Sequence, residues 1–291
     1  MKLIKTIISL SLLIASFAAH AKVNVFACEP EWQSLVKSLG KDHVKVFAAT
    51  TAFQDPHYIE ARPSLIAKTR QADLLICTGA ELEIGWLPLL LRQSGNAAIA
   101  QNKPGYFMAA EQVDRIEIPT QLDRSQGDVH ASGNPHVHWD PQRLLTIAKA
   151  LSERLASIDN ANAADYRDNY RVFEKQWRQR LASWENLKQT LQGTTVIVQH
   201  KNWSYLLAWL GIEILGDIEP KPGLPATSTH LAGLLSKART TKVSAILVAN
   251  YQNDQGARWL QAKTDIPVLN LPFTVGGSDK AQDLITLYDE V

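Results

Sequence analysis

Residues 163–191 contain neither proline nor glycine, and they carry Tyr166, Tyr170, Phe173, Trp177, Leu181, Trp184 and Leu187 at spacings of three and four. That period places every large apolar side chain on one face of a single helix, roughly 40 Å long at 1.5 Å per residue. A helix of this length exceeds what one small core needs. It predicts a spine that links two bodies, and Gly193 is placed to end it.

On both sides of the spine the pattern changes to short apolar runs alternating with helical stretches. Before it, strands are predicted at 23–27, 44–49 and 72–77, with helices at 31–39, from Pro63 onward, at 86–91 and beyond Asp140-Pro141. Asp140 and Pro141 supply an N-cap and a first-turn proline. After it, strands are predicted at 195–199, 243–249 and 267–271, with helices at 205–210, 231–238 and 257–264. Such alternation implies parallel sheets covered by helices. The expected fold class is α/β: two doubly wound lobes joined by one long backbone helix. The expected boundaries are 22–160 for the N-terminal lobe, 161–192 for the linking helix and 193–291 for the C-terminal lobe. No repeat of fixed period is visible.

Residues 1–21 read as a segment outside the fold. Lys2 and Lys5 precede an apolar run over 7–18, and Ala19-His20-Ala21 supplies small residues where a signal peptidase reads. The run is shorter than the roughly 20 apolar residues of a spanning helix. A cleavable signal peptide ending at Ala21 is expected, with no cysteine after it to accept lipid. The mature protein is then expected outside the cytoplasm, in the periplasm, as a monomer. With 30 basic against 29 acidic residues, no charge excess points to nucleic acid or an anionic membrane.

Cys28 and Cys77 each end a strand-like run. In a parallel sheet those ends can be neighbours, so an oxidising compartment permits a disulfide. Two buried thiols packed as small apolar groups are the other reading.

Of the eight histidines, His57, His136, His138 and His200 stand beside prolines or just past predicted strands. Ligands of open α/β sheets bind outside the carboxyl ends of the strands. Imidazole suits zinc, copper, nickel and iron, whereas oxygen donors suit manganese, magnesium and calcium. Residue type alone leaves open that these are satisfied polar core residues.

Three local patterns carry a resemblance. They are Pro56-His57 followed by Pro63-Ser64, Asn134-Pro135-His136-Val137-His138-Trp139-Asp140-Pro141, and Gln199-His200. Ala72-Asp73-Leu74 through Glu81-Leu82-Glu83 adds a fourth. Together they resemble the cluster A-I metal-binding proteins of ABC importers, the zinc and manganese solute-binding family, over essentially the whole chain past the leader. The resemblance implies a metal site in the cleft between two lobes, with His57, His136 and His200 as ligands. It implies a partner as well, the membrane subunit of an ABC importer. The implied cargo is Zn2+, with Mn2+ or another divalent metal less favoured.

The family's fourth ligand is an acidic residue after the last strand. Here the matching position is Asn270, which carries no charge, so the fourth position is open to water, to a carbonyl of Asn270 or to a carboxylate from elsewhere such as Asp279. This departure argues further against manganese. If 134–139 is extended, His136 and His138 face one side and both can reach one ion; the family resembled usually has an apolar or aromatic residue at the second position, so the preferred reading of His138 is support behind the ligands or packing. His130, in the polar loop 121–133, could catch or deliver metal, or be a solvated surface residue. His43 reads as surface and His230 as helix-start packing. Trp86, Trp177, Trp184 and Trp209 read as core, whereas Trp139 and Trp203 are placed to line the cleft.

Two other uses of the same residues exist. A zinc hydrolase also needs three ligands and an open position, but it needs a general base too, and no HExxH pattern occurs. A metal-binding adhesin, or a periplasmic zinc buffer without a transporter, would look the same in sequence. Reversible binding, not catalysis, is the expectation.

Overall fold

The computed structural model describes residues 22–120, 130–221 and 223–291. The expected leader lies outside the described residues, as do residues 121–129 of the polar loop. Among the described residues no helix is long and apolar enough to cross a membrane.

The first lobe holds β1 (Val23–Ala27), β2 (Val44–Ala48), β3 (Leu74–Cys77) and β4 (Tyr106–Met108), all parallel, in the order β2-β1-β3-β4. The second holds β5 (Thr195–Val198), β6 (Glu213–Asp217), β7 (Ala245–Ala249) and β8 (Val268–Leu271), also parallel, in the order β6-β5-β7-β8. The two lobes share one winding order, a repeat that leaves no trace in the sequence. Parallel sheets are buried on both faces, and the central strands follow that rule. In β3, Leu74 and Ile76 face one core while Leu75 and Cys77 face another. In β7, Ala245, Leu247 and Ala249 face one core while Ile246 and Val248 face the other.

The helices are α1 (Pro30–Gly40), α2 (Pro63–Arg70), α3 (Leu87–Ser94), α4 (Pro141–Ile158), the spine α5 (Ala163–Leu191), α6 (Ser204–Leu210), α7 (Ser228–Thr240), α8 (Gln255–Thr264) and α9 (Leu284–Glu290). The spine is one continuous helix of 29 residues, as its period requires. Its buried face is Tyr166, Phe173, Trp177, Leu181 and Trp184; Leu187 is exposed. Trp177 donates to the carbonyl of Pro141 at 2.8 Å, tying α5 to α4. Trp184 donates to Asp289 at 2.9 Å and stacks on Tyr288 at 4.9 Å, tying α5 to α9. One apolar cluster runs without interruption from Val25 and Ile76 in the first sheet, through Trp139, Trp177 and Trp203, to Val198 and Leu247 in the second.

Three elements escape the sequence pattern. β4 is only three residues long, the pairing of β6 with β5 skips Leu215, and α9 is seven residues. None is long enough to show a period. Residues 134–139 are a correction. They are not extended: Val137–Trp139 form a 3-10 turn, with Trp139 donating to the His136 carbonyl at 3.1 Å. The Asp140 cap, which accepts from Gln142 and Arg143, starts α4 immediately after and tightens the approach.

β1 and β3 pair with Ala27 opposite Ile76, so Cys28 and Cys77 follow side by side. They form a disulfide, with Cα atoms 4.8 Å apart. Beside it lies a buried acid pair, Glu29 and Glu83, each 2% exposed. Glu83 accepts from the amides of Thr78 and Gly79, and Glu29 accepts from the Thr78 hydroxyl. Burial, then the charge of Glu83, pushes the Glu29 carboxyl well up; burial pushes Glu83 up to about 7. At neutral pH the pair shares a proton.

Two predictions follow from this packing. Trp177→Ala should cost about 3–5 kcal/mol, read as a lower denaturant midpoint, whereas Leu187→Ala should stay within about 0.5 kcal/mol. The raised acid pair favours the folded state below the unfolded carboxyl value near 4.5, and that contribution is lost as pH rises through about 7. Glu29→Gln removes one acid while leaving a donor for Glu83. The melting temperature of Glu29→Gln minus that of the parent should therefore be more positive at pH 8 than at pH 5. An equal difference at both pH values would contradict the shared proton.

Candidate metal centre

Three loops deliver histidines to one point between the lobes. His57 comes from the segment between β2 and α2. Trp86, buried in the first lobe, donates to the carbonyl of Pro56 at 2.9 Å and fixes that segment. Asp55 then holds His57 twice, accepting from its amide at 3.0 Å and pairing with Nδ1 at 2.7 Å. His200 follows β5 directly, and its Nδ1 lies 2.8 Å from Glu219 just past β6. Both imidazoles therefore turn Nε2 inward.

His136 is set by Asn134. The Asn134 side chain accepts from the His136 amide at 2.9 Å and donates to the carbonyl of Lys201, beside His200, at 3.0 Å. Tyr205 of the second lobe donates to the Asn134 carbonyl at 2.7 Å. One asparagine thus joins the segments that carry two of the histidines.

His57, His136 and His200 each present a nitrogen within 4.8 Å of the others. Their ring centroids lie 5.9–6.0 Å apart, at steep angles to one another. His136 is 1% exposed, and both of its ring nitrogens are buried without a hydrogen-bond partner. Such an orphaned polar group is costly, on the order of 1–3 kcal/mol, and the lone pairs around it match the needs of a cation. Burial, followed by the neighbouring imidazoles of His200 and His57, holds His136 well below its ordinary value. It is neutral at pH 7 and free to ligate. Burial also tends to raise Asp55, but its bonds to His57 outweigh this and hold the carboxyl low.

His130 meets one member of this trio, His57, and stands outside the set whose nitrogens all lie within 4.8 Å. Its Nε2 is 3.2 Å from His57 Nε2, with ring centroids 5.3 Å apart. Burial and the charges of His57 and His200 lower it to about 4. Ser132 anchors its loop through two bonds to the Glu81 carboxylate.

His138 goes elsewhere. The 3-10 turn rotates it away from His136, leaving the rings 6.4 Å apart at 89°. Its Nε2 is 3.3 Å from the Phe273 carbonyl, and its Nδ1 lies 3.4 Å from Glu31, an ion-pair distance without hydrogen-bond alignment. Glu31 also accepts from Thr274 at 2.5 Å, and Tyr288 donates to the His138 carbonyl at 2.7 Å. His138 braces the first lobe against the chain's last segment. Asn270 stands exposed in β8 opposite Val248, and Asp279 is exposed before α9. From this stretch it is Phe273 that meets the histidines, 5.2 Å from His136 and 5.1 Å from His138. Trp139 and Trp203 are buried around Phe273, 6.5 and 6.2 Å from its ring. His43 pairs with Asp165, and His230 bonds the Asp217 carbonyl. Sequence reasoning missed Asp55, Glu219 and Phe273, and it took Asn134 as part of a motif without reading the bridge it makes between His136 and Lys201. The spacing Asp55-x-His57 was the one readable signal among them.

A family model described as zinc-uptake complex component A, periplasmic, matches residues 25–290. The metal ABC transporter substrate-binding lipoprotein FimA of Streptococcus parasanguinis is 25% identical over 89% of this chain and 82% of its own. The manganese ABC transporter substrate-binding lipoprotein scaA of Streptococcus gordonii is 23% identical over 91% and 84%. A crystal structure of ZnuA superposes with a TM-score of 0.74 at 18% identity, covering 92% of this chain and 97% of that one. A Cd-bound periplasmic metal binding protein from candidatus liberibacter asiaticus gives 0.73 at 17% identity, covering 91% and 95%. These structural likenesses carry the two-lobed fold.

Proposed function

The chain belongs to the zinc-uptake component A family, the extracytoplasmic metal-binding components of ABC transporters, and we propose that its cargo is one zinc ion held by His57, His136 and His200. The observation that carries this is His136: a buried imidazole with no hydrogen-bond partner at either nitrogen, facing two others.

On this reading His130 is the candidate fourth donor, and since it stands outside the trio whose nitrogens all lie within 4.8 Å it has to move toward the ion to serve. Tetrahedral zinc with bonds of about 2.0–2.1 Å sets neighbouring donors about 3.3 Å apart, and His57 Nε2 and His130 Nε2 are 3.2 Å apart. Asp55 and Glu219 accept from the Nδ1–H groups of His57 and His200, fixing their tautomers and strengthening Nε2 as a donor. The ion exchanges its water for neutral nitrogens, and Phe273, Trp139 and Trp203 keep bulk water from the buried side. Reversible capture fits this arrangement better than hydrolysis: the carboxylates nearest the imidazoles are engaged with Nδ1 and are not poised as bases.

Several relatives are named for manganese, which favours a second reading. Against it stands the donor set, which is nitrogen where manganese prefers oxygen. The remaining parts of the proposal are removal of the leader after Ala21, a monomeric mature chain in the periplasm, and delivery to an importer's membrane subunit. The lobe boundaries proposed are 22–160, 161–192 and 193–291.

Competition titration on chelator-stripped protein should give one zinc per chain, held more tightly than manganese. His136→Ala should abolish that site. Asp55→Asn or Glu219→Gln should each weaken zinc by roughly 10–100-fold while keeping the stoichiometry. Equal affinity in the His57→Ala, His136→Ala, His200→Ala triple variant would overturn the assignment.

A further inference from the structure

Gly79, Ala80 and Glu81 run consecutively through the left-handed region, at φ of 78°, 48° and 63°. Glycine takes that conformation freely, but alanine and glutamate rarely do. Among the described residues no other two non-glycine neighbours share it. A chain keeps such a turn only where its surroundings impose it, and here they do. Glu83 accepts from the amides of Thr78 and Gly79 at 2.7 and 3.0 Å, and the Leu82 amide donates to the Gly79 carbonyl at 3.1 Å. Leu82 itself is buried.

The turn lies against the histidines. Just after it, a Cβ on Gly85 would stand 3.3 Å from the His57 carbonyl, and Trp86 donates to Pro56. From the turn itself, two groups reach residues 130–133. The Ala80 backbone makes a hydrogen bond to the His130 ring. The Glu81 carboxylate accepts from the Ser132 amide at 3.1 Å and from its hydroxyl at 2.7 Å. The Gly133 amide donates back to the His130 carbonyl at 3.1 Å, so a hold on Ser132 is also a hold on His130. His130 is thereby kept with its Nε2 3.2 Å from that of His57. With ordinary φ at residues 80 and 81, the same carbonyl and carboxylate would leave the turn on other headings.

We propose that Glu81 is a positioning residue for the cargo ion: held by the left-handed turn, its carboxylate keeps His130 beside His57 and so slows the ion's escape. The effect on escape rests on the zinc reading above; the hold on Ser132 does not. His130 has to move to reach an ion on His57, His136 and His200. A tethered imidazole is present there at a far higher effective concentration than one on a loose segment. When the ion loosens from one nitrogen, a fourth that is already close recaptures it before water takes its place.

Release of zinc into excess chelator, followed by stopped flow, is the test. Glu81→Gly removes the carboxylate yet takes the left-handed φ without strain, so the turn keeps its shape. Glu81→Gly and His130→Ala should each speed release by about tenfold. The double variant should be no faster than either single variant, because both remove one contact. Glu81→Gln keeps an acceptor for the Ser132 hydroxyl and should restore most of the parent's rate. In metal-free protein, amide hydrogen exchange at Ser132 should quicken in Glu81→Gly. Parental release in Glu81→Gly, or effects that multiply in the double variant, would overturn the proposal. Unchanged exchange at Ser132 would reject the hold itself. A parent that takes up no zinc would reject the metal reading and the effect on escape with it, while exchange at Ser132 would still decide the hold.

Discussion

The structure depends on a core that does not stop at the lobe boundary. Trp177 packs edge-on to Tyr288 at 5.0 Å and to Trp184 at 5.1 Å, and Tyr288 reaches Trp139 at 5.2 Å. Trp139 continues to Trp203 and Phe273. These six side chains come from α4's entry turn, α5, the turn before α6, the exit of β8 and α9. Separating the lobes would return them to water at about 25 cal/mol per Å², several kcal/mol for each large aromatic. The lobes are accordingly held in one relation, and strand ends that carry histidines from both sides stay within reach of one another.

That rigidity explains how polar groups are tolerated at the junction. Two of the three converging histidines have a second partner behind them, Asp55 for His57 and Glu219 for His200. His136 has none at its ring, and its position is enforced through the backbone by Asn134. A motif that reads as Asn-Pro-His divides its labour accordingly: the asparagine spans the lobes, the proline restricts the turn, and the imidazole faces the cleft. His138, two residues on, does a different task with the same chemistry. Its ring lies 3.4 Å from the buried Glu31 of α1 and 3.3 Å from the Phe273 carbonyl, and so joins α1 to the segment after β8.

Much of this was legible in the chain. The 3.6-residue period of 163–191 gave the spine, and the β-branched runs gave six of the eight strands. Of the four histidines placed just past strands or beside prolines, His57, His136 and His200 converge and His138 does not. The parts that were not legible share a cause. β4 and α9 are too short for a period to show, so tertiary contact decides them. The turn at 137–139 depends on the helix that Asp140 starts, which reverses the expected direction of His138. Asn270 matched a family position by register, but an exposed place in β8 and the inward Phe273 come from how the chain leaves the sheet. Asp55 and Glu219 are ordinary carboxylates in sequence; only the fold sets them behind imidazoles.

Phe273 bears on which ion such a site can favour. An apolar ring now lies against His136 at the exit of β8, where the resemblance led to an oxygen donor. An aromatic there excludes water and lowers the local dielectric, which strengthens every interaction the remaining donors make with a cation. It also leaves the imidazole nitrogens of His57, His136 and His200 as the donors that stand closest together. A hard ion that prefers oxygen loses more from this exchange than zinc does. A rigid core would add to the bias, because donors that cannot spread fit a small tetrahedral ion better than one that takes six or more ligands. The same rigidity limits how the ion can leave. If the lobes do not part, release has to come from changing a donor or its support, such as the carboxylates of Asp55 and Glu219 that hold His57 and His200.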